Sequence, residues 1–299
     1  MKQIQRVFAI LALACSTLIA AEPALPDIPT VLVPLKAKIL KGRYSGLYLG
    51  FRAEQPLTEE QWTAISELGP KGVGIGGKSV DDEFMARFAK LDLEVLSLDG
   101  SEGLSDEAIK YIATMKSLRF LSMGHMLQKK FTGASLSLLK DLPALETLTL
   151  AGSGTGKEAM EAIGQLTQLK ELANWHTRHS DPLNSYLLKL TNLKSLSFGQ
   201  SGAFVDGKQH SSLTDATMDT FAQMKSLESL TLMQARLTLP ALKKLKALPN
   251  LKKLDLNSSI DLPAEDIDKL RAEMPGVTIQ WKPLTDVDRT KLHLALKDN

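Results

Sequence analysis

The sequence of 299 residues contains one cysteine, Cys15. A disulfide needs two thiols and a thiolate metal centre needs several, so the chain can form neither on its own. Cys15 also lies in an N-terminal segment that we expect to be removed. This excludes a cysteine nucleophile in the mature protein.

The net charge is close to zero, because the chain has 36 basic and 34 acidic residues. A chain without net charge has no overall field to attract a polyanion, so nucleic acid is not expected as a partner. Aromatic residues make up only 5% of the chain, whereas leucine is in excess, at 53 of 299 residues. That is roughly double the ordinary content, and the excess calls for an architectural explanation.

The first 21 residues carry the pattern of a secretory signal peptide. Lys2 and Arg6 precede an apolar stretch at 7–14, which resumes weakly over 18–21. This run is too short and too interrupted to span a membrane. We therefore predict export, with cleavage after Ala21 or one residue earlier.

Residues 12–15, Ala-Leu-Ala-Cys, resemble a bacterial lipoprotein box in which alanine replaces the usual first leucine. Two outcomes stay open. Either the protein is released into the periplasm or the medium, or a lipid on Cys15 anchors it. Contact with a membrane is expected only in the second case.

Segments of the form L-x-x-L-x-L recur along the chain. Six of them begin at Leu93, Leu118, Leu145, Leu193, Leu227 and Leu251. A seventh, beginning at Leu169, fits except for Asn174 at its last position. With weaker copies at both ends, the last apolar positions are 49, 75, 98, 123, 150, 174, 198, 232, 256 and 279. Eight of the nine intervals lie between 23 and 27 residues, a period typical of stacked solenoid repeats.

This pattern resembles the leucine-rich-repeat family over about residues 44–281, and in particular its ribonuclease-inhibitor-like and bacterial secreted members. Alternate strand residues point to one face, so the repeated leucines form a buried face. Apolar residues three or four apart at 106–115 and 215–224 predict helices that return the chain to the next strand. The expected fold is α/β, a horseshoe-shaped solenoid with about ten parallel strands on its concave face and helical or turn segments on its convex face.

Four segments follow from these patterns. They are a signal peptide at 1–21, a linker leading into the repeats at 22–43, the repeat domain at 44–281 and a C-terminal capping segment at 282–299.

The resemblance implies an exported module that binds a protein partner through its concave face, without catalysis and without a cofactor. Large apolar side chains and arginine dominate such interfaces. The outward strand positions and the loop beyond them offer Phe120, Trp175, Arg178, Arg119 and Met233 as contact residues. Val95 is a further apolar residue expected to be exposed there. No catalytic or metal-binding residue is assigned.

Two other functions stay open. An envelope glycan would stack on aromatic side chains along the groove, for which only Trp175 and Phe120 are available. A metal-dependent hydrolase would use His125, His176 and His179, although no compact ligand spacing such as H-E-x-x-H supports it.

Residues 72–79 match G-x-x-x-x-G-K-S, the pattern of the nucleotide-binding P-loop. That loop needs a buried strand before its first glycine. The preceding residues 61–70 instead have the pattern of a helix, and Val73 and Ile75 fall on strand positions of the repeat. We therefore expect a glycine-rich strand at this place.

Two structural questions stay open in the sequence. Asn174 is either buried with polar partners, or a change of register turns Trp175 inward instead. An insert at 199–212 lengthens one repeat, and it either serves binding or is a tolerated loop.

Overall fold

The computed structural model describes residues 24–101, 103–125, 131–152, 156–177, 180–199, 202–205, 208–211 and 213–295. Cys15, Arg178 and His179 lie outside these ranges, as does the predicted signal peptide.

One sheet of eleven strands dominates the molecule. Ten of its strands run parallel, and β1 (Lys38–Lys41) pairs antiparallel with β2 (Leu47–Arg52) at one edge. The other parallel strands follow in chain order: β3 (Gly72–Gly76), β4 (Val95–Asp99), β5 (Phe120–Gly124), β6 (Thr147–Ala151), β7 (Glu171–Trp175), β8 (Ser195–Gly199), β11 (Ser229–Ala235), β12 (Lys253–Ile260) and β13 (Thr278–Gln280). Each of the ten last apolar positions of the predicted repeats lies in one of the parallel strands. The predicted leucine-rich-repeat solenoid is therefore confirmed.

The described part of the insert at 199–212 contains a pair of strands outside this sheet. Its strands β9 (Gly202–Val205) and β10 (Lys208–Ser211) are antiparallel, and the pair follows β8 in the chain. The next strand in the large sheet after β8 is β11, so the pair leaves the stacking of repeats unbroken.

Helical segments connect the strands. The α-helices are α1 (Glu59–Leu68), α2 (Asp82–Phe88), α3 (Asp106–Ile112), α4 (Lys157–Ile163), α5 (Asp215–Phe221), α6 (Leu239–Lys243), α7 (Ala264–Glu273) and α8 (Asp286–Ala295). The 3₁₀ helices cover Thr30–Leu35, Ala134–Asp141, Asp181–Lys189 and Lys244–Ala247. A helix is about 10 Å wide and neighbouring strands lie about 4.8 Å apart, so the sheet takes the concave side of the curve. Within the described chain, no helix is long and apolar enough to cross a membrane.

The core fills the space between the sheet and the helices. Inward leucines such as Leu96, Leu98 and Leu148 are completely buried, and so are Ile109 and Ile112 on the inner face of α3. One cluster of packed apolar residues extends from Leu32 to Ile279. No repeat buries its leucines alone, so this continuous core holds the stack together.

Aspartates at the starts of helices link consecutive repeats. The Asp106 carboxylate accepts hydrogen bonds from the amide (2.9 Å) and hydroxyl (2.7 Å) of Thr132 and from the Ser135 hydroxyl (2.8 Å). Three further pairs use a carboxylate in the same way, namely Asp82 with Ser105, Asp181 with Thr214 and Asp215 with Thr238. Charge-assisted hydrogen bonds of this kind are stronger than neutral ones, so they reinforce the contact between helices.

Candidate functional site: the concave face of the sheet

The concave face consists of alternate residues of the parallel strands, and the strand register arranges them in three rows. The row nearest the strand starts contains Tyr48, Gly72, Val95, Phe120, Thr147, Glu171, Ser195, Ser229 and Lys253. The middle row contains Gly50, Gly74, Ser97, Ser122, Thr149, Ala173, Ser197, Thr231 and Asp255. The row nearest the strand ends includes Asp99, Gly124, Ala151, Trp175, Gly199 and Met233. The middle row is small and rich in hydroxyls, whereas the outer rows carry the large side chains.

Strand β3 explains the match to the P-loop pattern. Val73 and Ile75 are buried in the core. The ring of Tyr48 lies across Gly72 and Gly74, the two glycines on either side of Val73. A Cβ atom on Gly72 would lie 2.7 Å from Tyr48 Cδ2, and one on Gly74 would overlap the Tyr48 hydroxyl. The glycines therefore make room for an aromatic ring, and the segment is a repeat strand as predicted.

The Tyr48 side chain is fixed in place. Burial raises the pKa of Tyr48 to about 12, against the opposing effect of its hydrogen bond with Ser97. The phenol is therefore neutral throughout the physiological range, and it covers the floor of β3.

The turn between β1 and β2, residues 42–46, lies over the first half of the concave face. The Arg43 guanidinium is 4.9 Å from the centre of the Phe120 ring and 3.4 Å from a Glu171 carboxylate oxygen. Tyr44 lies beneath the Arg119 guanidinium, 3.9 Å from the ring centre. Two of the predicted contact residues, Arg119 and Phe120, are therefore already engaged by the chain itself.

The Ser45 hydroxyl extends this contact by donating a hydrogen bond of 2.7 Å to Glu94. The turn thus reaches residues on β5 and β7 as well as the residue just before β4. Arg43 and Ser45 are both exposed, so its ion pair and hydrogen bond face solvent. Individual contacts of this kind are weak, since water competes for each partner.

A row of ion pairs runs along the starts of the strands. Glu146 pairs with Arg119 at 2.9 Å and with Lys170 at 3.5 Å. Glu228 pairs with Lys194 at 3.1 Å and with Lys252 at 2.7 Å. Four cations therefore share two carboxylates, which leaves this rim with an excess of positive charge.

Both shared carboxylates stay ionised. Hydrogen bonds from Lys252 and Lys194 lower the pKa of Glu228. Burial raises the pKa of Glu146, but its hydrogen bond with Arg119 and the nearby positive charges outweigh that effect and lower the pKa overall.

Trp175 and Met233 flank Gly199 on the neighbouring strands. Trp175 ends β7, Met233 lies on β11, and Gly199 ends β8 between them. A Cβ atom on Gly199 would lie 2.7 Å from the Trp175 Cβ atom and 3.6 Å from Met233 Cε. Both large side chains are partly exposed, and together they form an apolar platform near the strand ends.

In the sequence, a polar residue directly follows each of the two platform residues. His176 comes directly after Trp175 and Gln234 after Met233, and His176 Nε2 lies 2.6 Å from Gln234 Oε1. Both residues have a left-handed backbone, with φ of 53° and 52°, as does His125. Glycine takes this conformation at the equivalent Gly100 and Gly152, where it costs less.

The histidines do not converge in the described residues. His125 Nδ1 lies 2.6 Å from Asp99 Oδ1, whereas His176 pairs with Gln234. Among the residues with assigned positions, no group of three or more His, Cys, Asp or Glu side chains could hold a metal ion. His179, the third ligand of the hydrolase hypothesis, lies outside them.

The structure decides the two alternatives for Asn174. Asn174 is buried and stands in register with Leu150 and Phe198, whereas Trp175 lies on the concave face. Its amide nitrogen lies 3.6 Å from Met160 Sδ, and its amide oxygen accepts no hydrogen bond from any described residue. There is no register change, and the polar partners expected for a buried amide are incomplete.

The expectation for Val95 was wrong. Val95 is only 6% exposed, because it lies beside the residues of β3 that Tyr48 covers. Arg178 lies outside the described residues, and partner contact by the other four candidates stays a prediction. Sequence reasoning missed Arg43 and Tyr44, since nothing in a repeat pattern shows that a preceding turn lies over later repeats.

Comparisons with known proteins were made at three levels. No family model matches the sequence, and no curated protein matches it significantly. Solved structures do match, among them internalin C2 from Listeria monocytogenes, with 15% identity and a TM-score of 0.46 over 74% of this chain and 84% of that one. A likeness this distant bears on neither partner nor activity, so the solenoid assignment rests on the repeats and strands described above.

Proposed function

We propose that this leucine-rich-repeat solenoid is an exported, non-catalytic module that binds a protein partner through its concave face. The observation that carries the proposal is the apolar platform of Trp175 and Met233. A partly exposed tryptophan and methionine on neighbouring sides of one glycine provide apolar contact area on a sheet whose backbone is already ordered before binding. The basic residues and apolar stretch of residues 1–21 support export.

The rival function, glycan binding, has less support. Arg43 stacks on the ring of Phe120, so Trp175 is the one predicted aromatic contact that the turn leaves uncovered. A groove that binds a polysaccharide needs a series of stacking rings, and one ring provides a single subsite.

Affinity capture from the envelope and medium of the source organism tests the proposal, with residues 22–299 as bait. We expect a protein that the parent retains and the Trp175→Ala/Met233→Ala variant loses. The matched control is Leu138→Ala/Val287→Ala, which removes two large apolar side chains that are 38% and 63% exposed away from the concave face. The control should retain the partner.

Two outcomes would contradict the proposal. A protein retained equally by all three baits would place the interface elsewhere. Retention of no protein by any bait, with the same melting temperature for all three, would remove the protein-binding function.

Export is tested separately by N-terminal sequencing of the natural protein. A mature chain beginning at Ala21 or Glu22 would agree with cleavage of the signal peptide. A lipid-modified Cys15 at the N-terminus would instead establish the anchored form, and an intact Met1 would contradict export by this route.

A further inference from the structure

The two ends of strand β8 have opposite chemical characters. At its end lies the apolar platform, where Trp175 and Met233 flank Gly199. At its start lie the cationic residues Lys170 and Lys194, which precede β7 and β8. These two lysines occupy equivalent positions, since the Lys194 amide donates a 2.8 Å hydrogen bond to the Lys170 carbonyl.

Each of the two lysines forms an ion pair with a glutamate, and that glutamate lies on the side away from the other lysine. Lys170 pairs with Glu146 at 3.5 Å, and Lys194 pairs with Glu228 at 3.1 Å. Both carboxylates are shared with a second cation, and the side chains of Lys170 and Lys194 remain 53% and 61% exposed. Positive charge is therefore in excess where the two lysines adjoin.

The nearest acid on the concave face has a cation beside it. Glu171, the first concave residue of β7, forms an ion pair of 3.4 Å with Arg43. Between the lysines and the platform the concave side chains of β8 are Ser195 and Ser197, which are too short to block a ligand lying along the strand. A partner can therefore reach both ends at once.

We propose that this part of the concave face binds an extended peptide segment of the partner that carries a carboxylate and a large apolar side chain. The carboxylate is held between Lys170 and Lys194, and the apolar side chain packs on Trp175 and Met233. Lys194 and Gly199 are five residues apart, about 17 Å at about 3.3 Å per residue. Side chains of an extended segment share a face only at even spacings, so the two partner residues are about six positions apart. This inference rests on the proposed function and adds the chemistry of the segment and its placement along β8.

Fluorescence polarisation with synthetic peptides tests the proposal. The probe is fluorescein-labelled Glu-Ser-Thr-Ser-Thr-Ser-Leu, compared with the same peptide carrying Gln for Glu or Ala for Leu. We expect the parent protein to bind each altered peptide about tenfold more weakly, because each loses one of the two anchors. The difference between the Glu and Gln peptides should shrink as salt is raised.

Substitutions at the two ends of β8 test which residues cause the preference for Glu and which cause the preference for Leu. Lys170→Gln/Lys194→Gln should abolish the preference for Glu over Gln and keep that for Leu over Ala. Trp175→Ala/Met233→Ala should do the reverse. The matched control, Lys110→Gln/Lys269→Gln, removes two helix lysines that are 60% and 57% exposed and ion-paired within their own helices, and it should keep both preferences.

Three results would overturn the inference. They are equal binding of the Glu and Gln peptides by the parent, no binding of the probe at millimolar concentration, and tighter binding of a neutral oligosaccharide such as chitohexaose than of any peptide. If affinity capture nevertheless yields a partner that depends on Trp175 and Met233, the proposed function stands and only the peptide chemistry is wrong.

Discussion

At the scale of single residues, the glycines of β3 and the asparagine of β7 have opposite effects on packing. Gly72 and Gly74 permit a close approach, because the Tyr48 ring occupies the space where their side chains would stand. Asn174 places an amide among leucines, and its oxygen has no hydrogen-bond donor among the described residues. The packing at β3 therefore depends on the absence of side chains at the two glycines. At position 174, an apolar side chain should pack better than the asparagine.

Replacing Gly74 should destabilise the protein through a clash with Tyr48. We expect Gly74→Ala to lower the free energy of unfolding by about 1–3 kcal/mol, measured by urea denaturation. Gly50→Ala is the control on the neighbouring strand, because its nearest contact would be an ordinary 3.8 Å. In a Tyr48→Ala background the cost of Gly74→Ala should disappear, and an unchanged cost would disprove the assigned role of the tyrosine ring.

Replacing Asn174 by leucine should stabilise the protein. The substitution removes a buried acceptor without a partner, so we expect a gain of about 1–3 kcal/mol in the free energy of unfolding. Asn184→Leu provides the contrast and should be destabilising, since the Asn184 amide nitrogen donates a 2.9 Å hydrogen bond to the Thr217 hydroxyl, whereas that of Asn174 lies 3.6 Å from a sulfur atom. Equal effects of the two substitutions in thermal melts would contradict this distinction.

At the scale of secondary-structure elements, contacts between helices are set by carboxylates at the helix starts. Asp106 in α3 binds the segment that opens the next 3₁₀ helix, and Asp215 in α5 binds Thr238 before α6. The series is interrupted at α4, whose first residue is Lys157 and whose N-cap is Gly156. Stability of the stack is therefore unevenly distributed between its elements.

The Asp106 contact should appear in the dependence of stability on pH. Burial raises the pKa of Asp106, but hydrogen bonds from Thr132 and Ser135 outweigh it and lower the pKa overall. Its contribution is thus present above the unfolded-state pKa of about 3.9 and is lost as pH falls through the folded-state value. We expect Asp106→Asn to lower stability at pH 7 and to reduce the loss of stability between pH 5 and pH 3.

The same contact predicts a stability loss of about 1.5–3 kcal/mol for Asp106→Ala at neutral pH, measured by chemical denaturation. The control is Asp268→Ala, whose side chain is 74% exposed and pairs only within its helix. A similar loss in both variants would show that the link between repeats is not the cause.

At the scale of the whole molecule, the stack is closed at its two ends by different elements. The N-terminal end is covered by the antiparallel strand β1 and the turn at 42–46, which extends over the concave face. At the C-terminal end, Leu292 of α8 is buried, and Arg289 lies 3.1 Å from Asp261 after β12. Because each repeat contacts only its neighbours, the ends need such covers to protect the core.

The closing role of α8 can be tested with two substitutions in that helix. Leu292→Ala removes a side chain that is 3% exposed, so we expect a loss of about 2–4 kcal/mol in the free energy of unfolding. Val287→Ala alters a residue that is 63% exposed and should change stability by less than about 0.5 kcal/mol. If the two variants unfold at the same urea concentration, α8 does not protect the core.

The sequence by itself determined the fold of this protein. The spacing of 23–27 residues between leucine segments is a local, periodic signal, and it placed all ten parallel strands. It also placed Trp175 and Met233 among the outward positions, because side chains alternate along any strand.

Only the tertiary structure decided how the concave face is arranged. The turn at 42–46 reaches Phe120 and Glu171, and Trp175 and Met233 flank Gly199, through contacts between residues that are 24 to 128 positions apart. A repeat pattern specifies the period and the face of each residue. It does not specify how a non-repeating turn lies over that face, or which side chains flank a glycine. Both features depend on the shapes of side chains from different repeats, which become neighbours only when the repeats stack.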